Sequence, residues 1–424
     1  MTHFRYLLVF TVFLSLVDGY GFDEFQRIQA AQRRQNRRNA PKPGHPVVLV
    51  PGDAGSQIEA KLTGKPTRPH YICAQKTDEF FDLWLNLKLL TQPAIDCFVD
   101  NMRLVFNETT GVSSNSPGVE TRLPSTVESI EYVDKSRISK SAYFINIVEN
   151  LVKWGYTKEK DIIAAPYDWR RAPHELAGFY ALLRTRIETT YWYNSEKRVV
   201  VVGHSMGNPI MHYFYTNVVS QAWKDKFIQS HVSLAAPWGG SMQIIRMYTT
   251  GYNLNNFRFI LSPNTLRPME RSFTSTAFLF PSSNVWNSSE VLASNDQKNY
   301  TVANLEDFFN DIGYPIGMAQ YRSVQYPKTS SLEDPGVAVN CLYGIEVPTP
   351  ERFEWKSGLF VKSFPDYPPD TIDGDGDGTV NLKSLEVCKR WKRSTSHPLQ
   401  GTGHMDILRD QRTMDLLKDI LYRD

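Results

Sequence analysis

Residues 198–208 read Arg-Val-Val-Val-Val-Gly-His-Ser-Met-Gly-Asn. The β-branched run Val199 to Val202 has the composition of a buried strand. It ends in Gly203-His204-Ser205-Met206-Gly207, a G-x-S-x-G pentapeptide, and Asn208-Pro209-Ile210-Met211-His212-Tyr213-Phe214 reads as the start of a helix. Strand, tight turn and helix together form a nucleophile elbow. The glycines have a steric reason. Ser205 at the tip of such a turn sits in a strained backbone, and flanking side chains would collide with strand and helix. The strain lifts the Ser205 hydroxyl above the sheet, where a base can reach it.

Working outward, a second buried strand, Val47-Val48-Leu49-Val50, closes on Pro51-Gly52. Residues 141–164 read as helix then strand, and 177–193 as a helix with few breakers. His231-Val232-Ser233-Leu234-Ala235 is another strand, and Val337–Gly344 a late core strand. Alternating strands and helices argue for a mostly parallel sheet covered on both faces. With the elbow, the expected class is α/β, an α/β-hydrolase fold occupying residues 44–424. Residues 241–320 break the rhythm and carry many Asn, Ser and scattered aromatics, which predicts a cap or lid over the site. Between the first two cysteines, Phe80 to Leu90 is apolar on nearly all sides. It reads equally as a buried helix or as a surface helix that dips into a membrane with Trp84 at the interface.

The chain has 424 residues and a net charge of only +2, so a strong polyanion footprint is absent and nucleic acid is not an expected partner. Residues 1–19 read as a secretory signal peptide: Arg5, then the short apolar core Leu7 to Val17, then small Gly19. Residues 20–43, with Arg33-Arg34 and Arg37-Arg38, read as a basic linker. Sequons stand at Asn107, Asn287 and Asn299, which fits a glycosylating secretory route. The four cysteines, Cys73, Cys97, Cys341 and Cys388, are even in number in an exported chain, so two disulfides are expected, with three connectivities open. They are not clustered as metal ligands are, and no cofactor is called for.

A serine nucleophile needs a base, and the base needs an orienting carboxylate, in the chain order Ser, acid, His. Two of the nine histidines follow residue 320: His397 and His404. His404 ends the flexible loop Gly401-Thr402-Gly403 and precedes an apolar segment, which suits delivery above a sheet better than the Pro-flanked His397. The acid falls in Asp373-Gly374-Asp375-Gly376-Asp377-Gly378-Thr379-Val380. A calcium loop would share this D-x-D-x-D-G start, but Ser384 stands where its bidentate Glu belongs. Asp377 lies against the Gly-Thr-Val turn. The oxyanion hole needs two amides: one from Met206, after the nucleophile, and one from Asp53 or Ala54, after the first strand. An ionised Asp53 carboxylate would repel a developing oxyanion, so Asp53 is expected to be partly protonated in working enzyme, favouring acidic pH.

Taken together, these stretches resemble the lecithin–cholesterol acyltransferase family. The resemblance also takes in Trp84-Leu85-Asn86-Leu87, Ala165-Pro166-Tyr167-Asp168-Trp169-Arg170, Gln221–Lys226, Ala236-Pro237-Trp238-Gly239-Gly240 and Gly376–Asn381. It implies Ser205 as nucleophile, Asp377 as orienting acid, His404 as base, and the Asp53 and Met206 amides as oxyanion hole. It implies disulfides Cys73–Cys97 and Cys341–Cys388. It implies a membrane-binding insertion over 60–105, with Trp84, Leu85, Leu89 and Leu90 as membrane-binding residues. At Asp53, Met206 and Asn208 the chain resembles the lysosomal branch of that family rather than the plasma branch, which typically has Cys at the Asp53 position. Ala54 and Ser56 depart from the family's usual Leu and Asn. The implied activity is hydrolysis of glycerophospholipid acyl esters through an acyl-enzyme, with transfer to lipid alcohols such as ceramide, at a phospholipid membrane surface, in a lysosomal or secreted protein. Sterol O-acyl transfer and non-catalytic lipid binding are the competing readings.

Overall fold

The structure is a computed structural model that describes residues 41–252, 262–325, 332–356 and 364–423. The signal peptide and nearly all of the basic linker lie outside the described residues.

The central sheet has six strands: β1 (Val47–Val50), β2 (Ile162–Ala164), β3 (Val199–His204), β4 (Ile228–Leu234), β5 (Val339–Ile345) and β6 (Ser394–Gln400), in the order β6-β5-β4-β3-β1-β2. Every neighbouring pair is parallel. The unbroken valine runs are explained by burial on both faces. Val48, Val50, Val199 and Val201 enter one core, and Val47, Leu49, Val200 and Val202 enter the other. This is the period-2 alternation of a pleated strand, here with apolar partners on each side. Helices α1 (Ile145–Lys153) and α4 (Gln411–Leu421) bury Ile147, Leu151, Met414 and Leu417 in the second core. Helices α2 (Ala177–Tyr193) and α3 (Gly207–Tyr213) bury Tyr180, Leu183, Ile187 and Ile210 in the first. The spacing of Tyr180, Leu183 and Ile187 is the i, i+3, i+7 stripe of an amphipathic helix. The fold is that of an α/β-hydrolase.

Two insertions differ from expectation. Phe80–Leu90 is not a helix. Phe81–Trp84 is a strand paired antiparallel with Ile58–Leu62, and Leu87–Leu90 is a 3₁₀ turn whose start is capped by the Asn86 side chain accepting from the Lys88 amide. Long-range pairing with Ile58–Leu62 overrides the local apolar pattern. Leu85 and Leu90 are buried, so these two side chains leave little surface for a membrane; Leu89 is half-buried. Trp84 donates from its indole nitrogen to the Ala54 carbonyl (2.7 Å) and packs against Phe98 and Trp169, which ties it to the first core. The described residues between β4 and β5 include regular structure too. It holds helices Gln243–Tyr248, Pro263–Ser272, Thr274–Phe278, Leu305–Asp311 and Ile316–Val324. Its aromatics Tyr248, Phe280, Phe308 and Phe309 form a buried cluster with one another.

Cys73 is bonded to Cys97, and Cys341 to Cys388. Asn107, Asn287 and Asn299 are all exposed. Among the described residues no helix is long and apolar enough to cross a membrane.

Candidate active site

Ser205 follows β3 directly and has φ of +52°. A left-handed backbone at a non-glycine residue costs about 1–3 kcal/mol and persists only where the surroundings enforce it. The enforcement is visible. The Ser205 amide donates to the Leu234 carbonyl (2.9 Å), and the Asn208 side-chain amide donates to the carbonyls of Ser205 and Leu234 (3.0 Å each). Asn208 Oδ1 in turn accepts from His231 Nε2 (2.9 Å), so each polar atom of this buried amide has a partner. A Cβ on Gly203 would stand 2.4 Å from Asn208 Oδ1, and one on Gly207 2.5 Å from the Pro51 carbonyl oxygen. Both elbow glycines are therefore fixed by close approach.

His404 Nε2 lies 2.9 Å from Ser205 Oγ, and His404 Nδ1 lies 2.8 Å from Asp377 Oδ2. A carboxylate oxygen only accepts, so Nδ1 carries the proton and the Nε2 lone pair faces the serine hydroxyl. The Asp377 carboxylate is buried; its Oδ1 accepts from the amides of Thr379 (3.0 Å) and Val380 (2.7 Å). The His404 amide also donates to the Asp377 carbonyl (2.8 Å). The loop bearing His404 crosses the end of β5 at Gly344, where an added Cβ would stand 1.8 Å from the Thr402 carbonyl oxygen.

The rival histidine, His397, sits inside β6 in register with Leu342. Of the other loop aspartates, Asp373 pairs in a strand with Pro350 and Asp375 Oδ1 accepts from the Glu346 amide (2.6 Å). Among the described residues no group of three or more His, Cys, Asp or Glu is placed to hold a metal.

The loop after β1 reaches the elbow because Val50 is in register with Gly203. Gly52 is in contact with it: an added Cβ would lie 2.6 Å from Ser205 Cβ and 2.9 Å from the His204 carbonyl oxygen. Among the described residues, the amides of Asp53 and Met206 donate to no protein acceptor. Unpaired N–H groups next to Gly52 and next to the serine are what a developing oxyanion requires. Gly52→Ala is expected to push this loop from Ser205 and to lower kcat by about 10²–10³ through loss of oxyanion contact. Steady-state kinetics beside a thermal melt separates that loss from unfolding.

Burial pushes the Asp53 carboxyl up to about 7, against the opposing pull of the Ala54 amide and of a charged His404. Burial also raises Glu270, which Asp53 raises further. The site opens into a cavity of about 230 Å³, lined by Asp53, Trp84, Ser205, Met247, Leu279 and His404 among others. A smaller apolar cavity of about 60 Å³ adjoins it past Trp84 and Leu85 toward Phe98 and Leu266. Ile138 and Met405 line the larger cavity and are exposed at the surface.

Sequence reasoning missed Tyr143. Its hydroxyl accepts from the Gly52 amide (2.8 Å) and meets His204 Nδ1 at 2.7 Å. It also gave His204 no role beyond filling the pentapeptide. No motif marks Tyr143; its only sequence signal is its place ahead of the apolar periodicity of α1.

Comparison with known proteins places the whole chain rather than its site. A model of the Lecithin:cholesterol acyltransferase family matches residues 80–326 and 317–417. The "Lysosomal phospholipase A and acyltransferase" of Rattus norvegicus is 42% identical over 386 residues, covering 89% of this chain and 91% of that protein. The Homo sapiens protein of the same name is 42% identical over 383 residues, covering 89% and 90%. The "Phosphatidylcholine-sterol acyltransferase" of Gallus gallus is 36% identical over 379 residues, covering 88% and 89%. With most of its length matched, the chain belongs to the lecithin:cholesterol acyltransferase family.

Proposed function

We propose that this protein is a serine phospholipase A and acyltransferase in which Ser205, His404 and Asp377 form the catalytic triad. The observation that carries the reading is the unbroken hydrogen-bonded line Asp377–His404–Ser205 opening into an apolar cavity. Ser205 Oγ attacks the acyl carbonyl of a glycerophospholipid while its proton passes to His404 Nε2. The carbonyl oxygen becomes the oxyanion, held by the amides of Asp53 and Met206. The C–O bond to glycerol breaks, and His404 returns the proton to the lysophospholipid alcohol. The acyl group now rests as an ester on Ser205. Water, or the hydroxyl of a lipid such as ceramide, then attacks with His404 as base, and Ser205 is regenerated. Acyl-chain burial in the cavity contributes about 0.8 kcal/mol per CH₂.

A phospholipid surface is the partner that fits. Exposed Ile138 and Met405 at the cavity mouth give it an apolar rim; the sequence had assigned membrane contact to Trp84, Leu85, Leu89 and Leu90, of which Leu85 and Leu90 are buried. The disulfides, the exposed sequons and the signal-like residues 1–19 support glycosylated export to the lysosome or beyond the cell.

The Asp53 carboxyl sets the pH range. Its folded value of about 7 lies above its ordinary 3.8, so it is neutral in acid and ionises beside the oxyanion as pH rises through 7. Activity should fall over that interval, and Asp53→Asn, neutral throughout, should lose the fall. The same shift makes the folded state hold the proton more tightly than the unfolded chain. Its contribution to stability is therefore full below 3.8 and disappears as pH climbs to about 7. A kcat/KM profile that rises from pH 5 to pH 8 and is unchanged by Asp53→Asn overturns this role.

The function itself is tested on phosphatidylcholine liposomes containing ceramide, cholesterol or neither. Free fatty acid and acylceramide as the products support the reading. Cholesteryl ester as the main product favours sterol acyl transfer, and lipid uptake without ester cleavage leaves a binding protein.

A further inference from the structure

The imidazole of His204, one residue before Ser205, is buried and has a partner at each nitrogen. Nε2 lies 3.0 Å from the backbone carbonyl oxygen of His404, and Nδ1 lies 2.7 Å from the Tyr143 hydroxyl. The carbonyl only accepts, so Nε2 carries the hydrogen and Nδ1 offers its lone pair to the Tyr143 O–H. Tyr143 oxygen then has a lone pair for the Gly52 amide, which donates to it at 2.8 Å. The result is one chain of hydrogen bonds, Gly52 to Tyr143 to His204 to His404, running behind the serine. It joins the loop that carries the Asp53 amide to the loop that carries the base.

His404 is thereby held at four points: its amide by the Asp377 carbonyl, its carbonyl by His204, and its two ring nitrogens by Asp377 and Ser205. Apart from the nucleophile Ser205 itself, the His204 contact is the one of these four that comes from the elbow. It ties the distance between base and nucleophile to the strand that bears the nucleophile. The ring also packs 5.0 Å from that of His404 and 5.4 Å from that of Tyr143. Burial lowers its proton affinity to about 3, so the donor–acceptor arrangement persists through the acidic range.

We infer that His204 is a positioning residue for the acyl-transfer reaction, acting through Tyr143 and the His404 backbone to hold the oxyanion loop and the base in register with Ser205. The inference rests on the triad reading above. A misplacement of about 1 Å at a reacting group costs about 10²-fold in rate. A residue that only supports the fold would instead lower thermal stability and leave kcat per folded molecule alone.

The test uses the full-length mature protein on dioleoyl phosphatidylcholine liposomes, with active enzyme counted by fluorophosphonate titration and folding followed by thermal melt. His204→Ala should lower kcat about 100-fold with KM within about twofold. Tyr143→Phe, which leaves all three triad side chains intact, should lower kcat about 10-fold, and the double variant should be no worse than His204→Ala, since both break one chain. His204→Gln, whose amide N–H can still reach the His404 carbonyl, should recover much of the loss. A kcat for His204→Ala within about threefold of the parent overturns the inference, as do multiplicative effects in the double variant. Where His204→Ala does not fold, Tyr143→Phe decides: a folded Tyr143→Phe within about threefold of the parent is the overturning result. Failure of the parent protein to label at Ser205 would sink the triad reading instead, so the two failures are distinguishable.

Discussion

Ser205→Ala is expected to abolish phospholipid turnover, with a loss of at least about 10⁴ in kcat, and to abolish fluorophosphonate labelling. The reason is the single hydroxyl that faces His404 Nε2 at 2.9 Å. Alanine keeps the φ of +52°, so the fold should be retained with its strain. Ser205→Gly gives a second readout. Glycine accepts that φ without cost, so it should be equally inactive yet more stable by about 1 kcal/mol. Thermal melts of the three proteins check the stability order, and liposome assays check the activity. A Ser205→Ala protein that melts like the parent and still turns over lipid removes Ser205 from the chemistry.

Asp377→Asn should cost about 10⁴ in kcat while leaving the fold intact. Asp377 Oδ1 accepts from the Thr379 and Val380 amides, and an asparagine oxygen can keep both bonds. That orientation turns its NH₂ toward His404 Nδ1. The imidazole must then offer a lone pair at Nδ1 and move its hydrogen to Nε2, where it faces Ser205 and cannot take the serine proton. The loss should therefore appear in kcat and in the labelling rate of Ser205, with a melt close to the parent's. A variant within about tenfold of the parent would mean that Asp377 does not set the tautomer.

The elbow was legible because its causes are local. Val199–Val202 is buried on both faces, and the glycines at 203 and 207 mark contacts under 3 Å that no side chain survives. His404 and Asp377 were legible from chain order and from the loops that carry them. The pairing of Phe81–Trp84 with Ile58–Leu62 was not, since an apolar run shows the same composition in a strand as in a helix, and a partner some twenty residues away decides. The stretch between β4 and β5 hid its helices because they are short. Their aromatics converge on one shared cluster instead of repeating along a single face. Tyr143 was invisible for a different reason: its contacts to Gly52 and His204 span 91 and 61 residues, and no spacing rule reaches that far.

Trapping the acyl-enzyme tests the central claim most directly. The protein is mixed with dioleoyl phosphatidylcholine liposomes in single turnover, quenched in acid and digested, and the peptide containing Ser205 is weighed. An oleoyl ester on Ser205 that forms as lysophospholipid is released, and is absent from Ser205→Ala, is the predicted result. Release of lysophospholipid with Ser205 unmodified at every time point, or an oleoyl ester on another residue, would contradict it.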